Sequence, residues 1–319
     1  MTRTGPESPL ESVFRIFIEF KAVTIFSFLF GVGIGIQSGR GRHSGTFLIR
    51  RFLVLLLIGI VHATLIWNGD ILVLYAICGL LVIPLLRLQT GTLAILGALI
   101  FVGAAVGFFY NFDPSTAALK AQGEAATRLY AHGTWLEILQ FRWEETVHFL
   151  GPLTLAFLPR TVGLILLGVA AWRADLLTGR EELRLPIFLG AVALGFAGNR
   201  LDIEEIESFG TAFALAVLVL MTVRRSRYLA AAGQMALTNY LTQSLVFSFV
   251  FYGFGLGLMG KLSVPQTSLL AIVFYVFQIL FSRLWLDRFC FGPAEWLWRS
   301  LTYGQRQPMR NCMRIGVLP

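Results

Sequence analysis

The stretch that most limits how this chain can fold runs from Arg50 to Ala76, RRFLVLLLIGIVHATLIWNGDILVLYA. A pair of arginines opens an apolar run, His62 lies near its end, and Trp67-Asn68-Gly69-Asp70 breaks the pattern before a second apolar run begins at Ile71. An apolar segment of ~20 residues matches the span of a bilayer as a helix, so this reads as a membrane hairpin with a polar tip. Composition decides against a pair of buried soluble helices. The 319 residues are 56% hydrophobic and 14% charged, with mean hydropathy +0.72, whereas soluble domains carry ~25% charged residues.

The same pattern repeats along the chain. Residues 1–13 are polar and lack the apolar core of a cleavable signal peptide. Spans are expected near 14–37, 47–67, 70–88 and 91–110, forming an N-terminal membrane half (14–110). A polar segment, 111–150, contains TWLEILQFRWEETVHFL, whose apolar residues recur every three or four positions. It predicts an amphipathic helix on the membrane surface. Five more spans follow near 152–172, 185–199, 209–223, 234–258 and 266–286, the C-terminal membrane half (151–286), and a basic tail occupies 287–319. The fold class is all-α: a polytopic bundle of about nine membrane helices by length, plus one amphipathic loop helix.

Basic residues orient it. Arg40, Arg42, Arg50 and Arg51, then Arg87, then Arg173, Arg180 and Arg184, then Arg224, Arg225 and Arg227 occupy every second connection, and the intervening ones are poor in positive charge. The positive-inside rule then sets the C-terminus in the cytoplasm and the N-terminus outside. The latter suits a chain preceded by one further span. The net charge of +8 is therefore orientation, and nucleic acid is not an expected partner; the lipid bilayer is. Cys78, Cys290 and Cys312 are widely spaced without a CxxC pair, which supports neither a disulfide framework nor a metal site. Gly31, Gly35 and Gly39, four apart, suit close helix packing; Gly31-Val-Gly-Ile-Gly35 has no strand before it and is a poor nucleotide loop.

An ionisable side chain at membrane depth is costly and marks function unless a partner explains it. In this topology Glu19, Lys21, His62, Asp70 and Arg160 share one depth band on the extracytoplasmic side. The functional reading makes His62 a general base or acyl acceptor, because imidazole titrates nearest neutrality. Asp70 or Glu19 would orient the ring, and Arg160 or Lys21 would bind an anionic substrate group or an oxyanion. The alternative is a salt-bridge network that only fixes helix packing. His148 is expected on the surface of the loop helix, and His132 and His43 in loops. A second polar set, Thr238, Asn239, Tyr240, Gln243 and Ser244, is expected toward the cytoplasmic half of its span, with Asn239 and Gln243 four apart on one face and Gln278 and Ser282 similarly spaced on the ninth span. Amides there commonly form interhelical hydrogen bonds; Asn239 and Gln243 could also line an entry path for a donor molecule.

FSFLFGVGIGIQ, the Arg50–Ala76 hairpin, LPRTVGLILLGVAAW, GQMALTNYLTQSLVF and GPAEWLWRSLTYGQRQPMR together resemble the YeiB-like family of bacterial inner-membrane proteins across nearly the whole chain. The resemblance implies a bacterial inner-membrane location and a fold similar to membrane acyltransferases related to heparan-glucosaminide acetyltransferase. Acyl-CoA is then the implied donor and a cell-envelope molecule the implied acceptor. Family members typically begin with a further helix, in line with the topology. Two other functions stay open. One is a carrier of a small anionic solute with Arg160 and His62 as gate and relay, although no internal repeat of the transporter kind is evident. The other is a non-catalytic assembly partner docking through its glycine-rich spans.

Overall fold

The computed structural model describes residues 21–39, 45–111, 116–145, 151–177, 181–222 and 226–310. Regular structure among them is helical throughout. In chain order the helices are α1 (Lys21–Gly39), α2 (Gly45–Leu65), α3 (Leu72–Val82, continued by a 3-10 turn Ile83–Arg87), α4 (Thr90–Asn111), α5 (Thr116–His132), α6 (Trp135–Glu145), α7 (Gly151–Arg173), α8 (Arg184–Leu201), α9 (Glu204–Thr222), α10 (Arg227–Gln234), α11 (Ala236–Phe251), α12 (Val264–Leu286) and α13 (Pro293–Tyr303). A helix lies within or across each of the nine expected spans. Among the described residues five helices (α1, α2, α4, α9, α12) are long and apolar enough to cross a membrane, and the shorter apolar stretch Leu72–Arg87 adds to them.

Two expectations, on the polar segment and on the cysteines, need correction, and the tail adds a helix. The polar segment contains two helices, α5 and α6, where one was expected. The tail is structured through α13, which begins at Pro293 and ends at Gly304 in the left-handed conformation (φ 68°), a C-terminal stop that glycine adopts without steric cost. Cys290 is disulfide-bonded, while Cys78 is free and buried.

The chain folds into two compact units that interleave along the sequence. Unit 1 comprises 1–52, 74–116 and 152–224; unit 2 comprises 53–73, 117–151 and 225–319. The divisions fall inside α2 and α3, so each unit draws on both halves of the sequence.

Unit 1 is held by backbone-to-backbone helix packing. A Cβ on Gly31 of α1 would sit on the Ile165 carbonyl of α7, and one on Gly168 of α7 on the Phe28 carbonyl of α1. Gly97 of α4 and Gly163 of α7 oppose each other in the same way, and Gly198 and Gly210 seal α8 against α9. Membrane helices lack a hydrophobic drive toward one another, so close approach of this kind supplies the dispersion and dipole contacts that hold them. The expected glycine face is thus real at Gly31 and at Gly35, which abuts Trp172, while Gly39 only grazes that ring. Phe28 and Phe213 meet edge to face at 4.7 Å, and Phe209 stacks on Phe213 at 4.4 Å.

Unit 2 is organised by side-chain hydrogen bonds. Asn239 of α11 donates to Ser282 Oγ of α12 at 3.1 Å. Gln278 of α12 donates to the Asn239 carbonyl and to Thr242 Oγ1, both at 2.9 Å, and accepts from Gln243 at 2.7 Å. Helix α11 has no side-chain cap from its own N-terminal residue. Glu295 of α13 replaces it, accepting the Thr238 N–H at 3.0 Å and the Thr238 hydroxyl at 2.5 Å. Four N–H groups at any helix start need acceptors, so the tail helix completes α11.

Candidate functional site: a buried histidine–aspartate pair

His62 sits in the last turn of α2 and Asp70 at the far side of the Trp67–Asp70 turn. Asp70 folds back to accept the Val73 N–H at 2.8 Å, satisfying one of the unpaired donors that open α3. Its other oxygen, Oδ1, lies 2.8 Å from His62 Nδ1. Both side chains are fully buried, at 1% and 0% exposure. From α11, the Tyr240 hydroxyl donates to Asp70 Oδ1 at 3.4 Å and accepts the Ile71 N–H at 3.4 Å. The Tyr240 ring lies 4.9 Å from the His62 ring, tilted by 42°.

These contacts assign the imidazole. Asp70 accepts from Val73, Tyr240 and His62, and an ionised carboxylate has acceptors only. Nδ1 therefore carries the proton toward Asp70, and in a neutral imidazole Nε2 is then the unprotonated nitrogen. Nε2 is buried and has no hydrogen-bond partner among the described residues. A carboxylate fixing one ring nitrogen so that the other is free as a base is the arrangement used in hydrolytic and acyl-transfer sites.

The turn itself is clamped from α6. Arg142 is almost wholly buried (1% exposed) and donates to the Leu65 carbonyl at 2.9 Å. Its guanidinium lies 4.9 Å from the Tyr252 ring and 5.8 Å from the Tyr130 ring. Ser248 donates to the Ile66 carbonyl at 3.1 Å. A cation and a hydroxyl thus meet the carbonyls that a helix C-terminus leaves unpaired. Glu145 accepts from Asn68 of the turn and from the Tyr130 hydroxyl. Burial pushes the Glu145 carboxyl above its ordinary value, against the opposing hydrogen bonds from Tyr130 and Asn68, and burial likewise raises Tyr130. On α6, Ile138 and Arg142 face inward while Trp135, Leu136 and Trp143 are exposed. The helix is amphipathic as expected, but an arginine lies on its buried side.

Beside the pair is a cavity of about 540 Å³, lined by Trp67, Tyr240, Gln243, Phe247, Ser248 and Tyr252 among others. Tyr240 belongs to both the cavity wall and the His62 contact. The polar set on α11 is therefore level with the hairpin tip, which corrects the expectation that it lies toward the opposite membrane face. Of the two amides expected to bind substrate, Gln243 reaches the cavity, while Asn239 is taken up by Ser282 and the Ala232 carbonyl.

The remaining expected residues lie outside the described residues or have their partners within unit 1. Glu19 and His148 lie outside the described residues. Lys21 and Arg160 are buried in unit 1, at 3% and 6% exposure. Lys21 Nζ is 3.9 Å from Glu207, and Arg160 donates to Thr24 Oγ1 at 2.7 Å, with Glu205 as its leading Coulombic partner. Ser27 and Tyr75 pair at 2.9 Å in the same unit. The four described groups thus comprise a His62–Asp70 pair in unit 2 and two separately partnered cations in unit 1. Sequence reasoning did not assign Tyr240, Arg142, Glu145 or Asn68 to the site. Arg142 and Glu145 carried a signal, two charges one helical turn apart beside apolar residues that could pack inward.

Several apolar spans and a hydrogen-bonded ionisable pair beneath a hairpin turn define a helical membrane protein with a buried polar site. The profile of a family described as protein of unknown function (DUF418) matches residues 204–305. The uncharacterized protein YxaH of Bacillus subtilis is 32% identical over 95% of this chain and 84% of its own length. The uncharacterized protein YeiB of Escherichia coli is 29% identical over 89% of this chain and 82% of its own. The chain belongs to this YeiB-like family. No solved structure matches it significantly.

Proposed function

We propose that the protein is an acyltransferase of the bacterial inner membrane, with nine spans and a cytoplasmic C-terminus, moving an acyl group from acyl-CoA to a hydroxyl of a cell-envelope acceptor. The observation that carries this reading is the buried His62–Asp70 pair with Nε2 unpartnered. In the proposed step His62 Nε2 takes the proton of the acceptor hydroxyl as its oxygen attacks the thioester carbonyl. The carbon–sulfur bond then breaks, and the departing thiolate receives that proton from the imidazolium. Asp70 holds the ring and stabilises its charged form. Tyr240 covers the ring and lines the cavity, so admission of the reacting groups requires its side chain to turn aside.

The test incubates membranes containing the protein, or its His62→Ala or Asp70→Asn variants, with acyl-labelled acetyl-CoA. Label transfer and CoA release are followed together. Turnover that depends on both residues is expected; turnover retained by His62→Ala overturns the assignment. A second reading, carriage of a small anionic solute, draws on Lys21 and Arg160, cations buried within unit 1, since such groups mark ion pathways in membranes. It predicts anion flux into sealed vesicles, abolished by Arg160→Gln, without covalent change to the solute.

A further inference from the structure

Unit 1 contains a cavity of about 840 Å³ between α1, α4, α7, α8 and α9. Its body is apolar: Phe28, Ala94, Leu167, Ala171, Phe213 and Leu220 are among its walls. Among the described residues around it, only Thr90 and Arg184 carry polar side-chain groups, and Arg184 is the only charge.

Those two lie at one end of their helices. Thr90 opens α4 and Arg184 opens α8, while Ala174, Leu176 and Leu177, just beyond the end of α7, also line the cavity. Arg173 ties the end of α7 to the α3–α4 connection by donating to the Leu86 and Leu88 carbonyls at 2.7 and 2.9 Å. The polar rim of the cavity thus coincides with helix ends and connections that carry Arg87, Arg173 and Arg184. Its apolar part extends along the helices from that rim.

We infer that this cavity holds a resident phospholipid with an anionic headgroup, its acyl chains between α1, α7 and α9 and its phosphate on Arg184. The lining matches such an amphiphile in order as well as in kind: one cation at the helix-end rim, hydrocarbon beyond it. Basic pockets between membrane helices on the cytoplasmic side take anionic lipid headgroups in this way. The volume lies within the ~300–1,000 Å³ of sites that enclose a ligand. Arg184 pairs at 2.9 Å with Glu181, which is 76% exposed. Exposed pairs of this kind are weak, and the guanidinium has further donors for a phosphate. The inference is independent of the chemistry proposed for His62.

The test reconstitutes the full chain in nanodiscs of phosphatidylcholine containing one-third phosphatidylglycerol, then extracts it into mild detergent and counts retained lipids by native mass spectrometry. Retention of one phosphatidylglycerol in preference to phosphatidylcholine is expected. Arg184→Gln should abolish the headgroup preference at least tenfold. Ala171→Phe, which fills the cavity and leaves Arg184 in place, should expel the lipid altogether. Thermal unfolding of each variant in detergent checks that it is folded; if Ala171→Phe is not, Ala94→Leu replaces it. Equal retention of both lipids by the parent protein, or retention unchanged in both folded variants, means only annular lipid and overturns the inference.

Discussion

Removing His62 and Asp70 separately and together gives the sharpest check on the buried pair, and it needs no knowledge of the substrate. The two side chains meet at 2.8 Å and neither is exposed to more than 1%. Asp70→Asn replaces a charge-assisted hydrogen bond, worth ~1.5–3 kcal/mol, and weakens the Val73 cap, worth ~1 kcal/mol. His62→Ala leaves a buried carboxylate short of its main donor, a loss of ~3–5 kcal/mol by analogy with broken buried pairs. In the double variant the carboxylate and its lost donor are both gone, so the penalties must not add. A coupling energy of about 1–3 kcal/mol is expected, the range for residues in direct contact. The assay is reversible unfolding in mixed detergent micelles, followed by tryptophan fluorescence. Additivity of the two single losses to within ~0.5 kcal/mol would refute the pair and the imidazole orientation deduced from it.

Other predictions test the surroundings. Gly31→Leu would drive a side chain into the Ile165 backbone, whereas Gly33 has open space at its Cβ. Overpacking costs ~1–3 kcal/mol, so Gly31→Leu should lower the yield of monodisperse protein in size-exclusion chromatography while Gly33→Leu does not; equal behaviour sinks the packing argument. Because burial raises the Glu145 carboxyl above the ordinary 4.5, its protonated form is favoured in the folded state. Its contribution to stability is complete below that ordinary value and fades as pH rises through the raised one. Glu145→Gln should therefore flatten this part of the stability–pH curve, as thermal scans at stepped pH will show. Glu295→Ala removes both acceptors at the start of α11 and should cost ~1–2 kcal/mol, as lost caps do, with faster hydrogen exchange at the Thr238 amide; unchanged exchange would contradict the capping role.

How much of this was legible beforehand follows from the range of the forces involved. The helices were readable because a run of apolar residues is a local property. The stretches around Phe47–Leu65, Thr90–Asn111 and Val264–Leu286 hold too few polar groups to be stable outside a helix in lipid. The His62–Asp70 pair was within reach for a related reason: the residues are eight apart across a turn. Tyr240 was not, since it lies 170 positions from Asp70 and periodicity says nothing about which distant helix supplies a hydroxyl. Arg142 looked like a surface charge on an amphipathic helix, and only its burial against Leu65, Tyr130 and Tyr252 shows otherwise.

The expectation that Lys21 and Arg160 join His62 in one site rested on depth, which is one coordinate of three. Residues at the same height in a bundle can be partnered on separate helices, as Lys21 is with Glu207 and Arg160 with Thr24. By itself, then, the sequence determined the helical class, the membrane setting, the hairpin and its polar tip, because hydropathy and turn chemistry act over a few residues. The tertiary structure decided the rest: which glycines touch, which nitrogen of His62 is free, how Glu295 finishes α11, and where an apolar cavity meets an arginine. Each of those depends on contacts between segments far apart in the chain, and no local pattern encodes them.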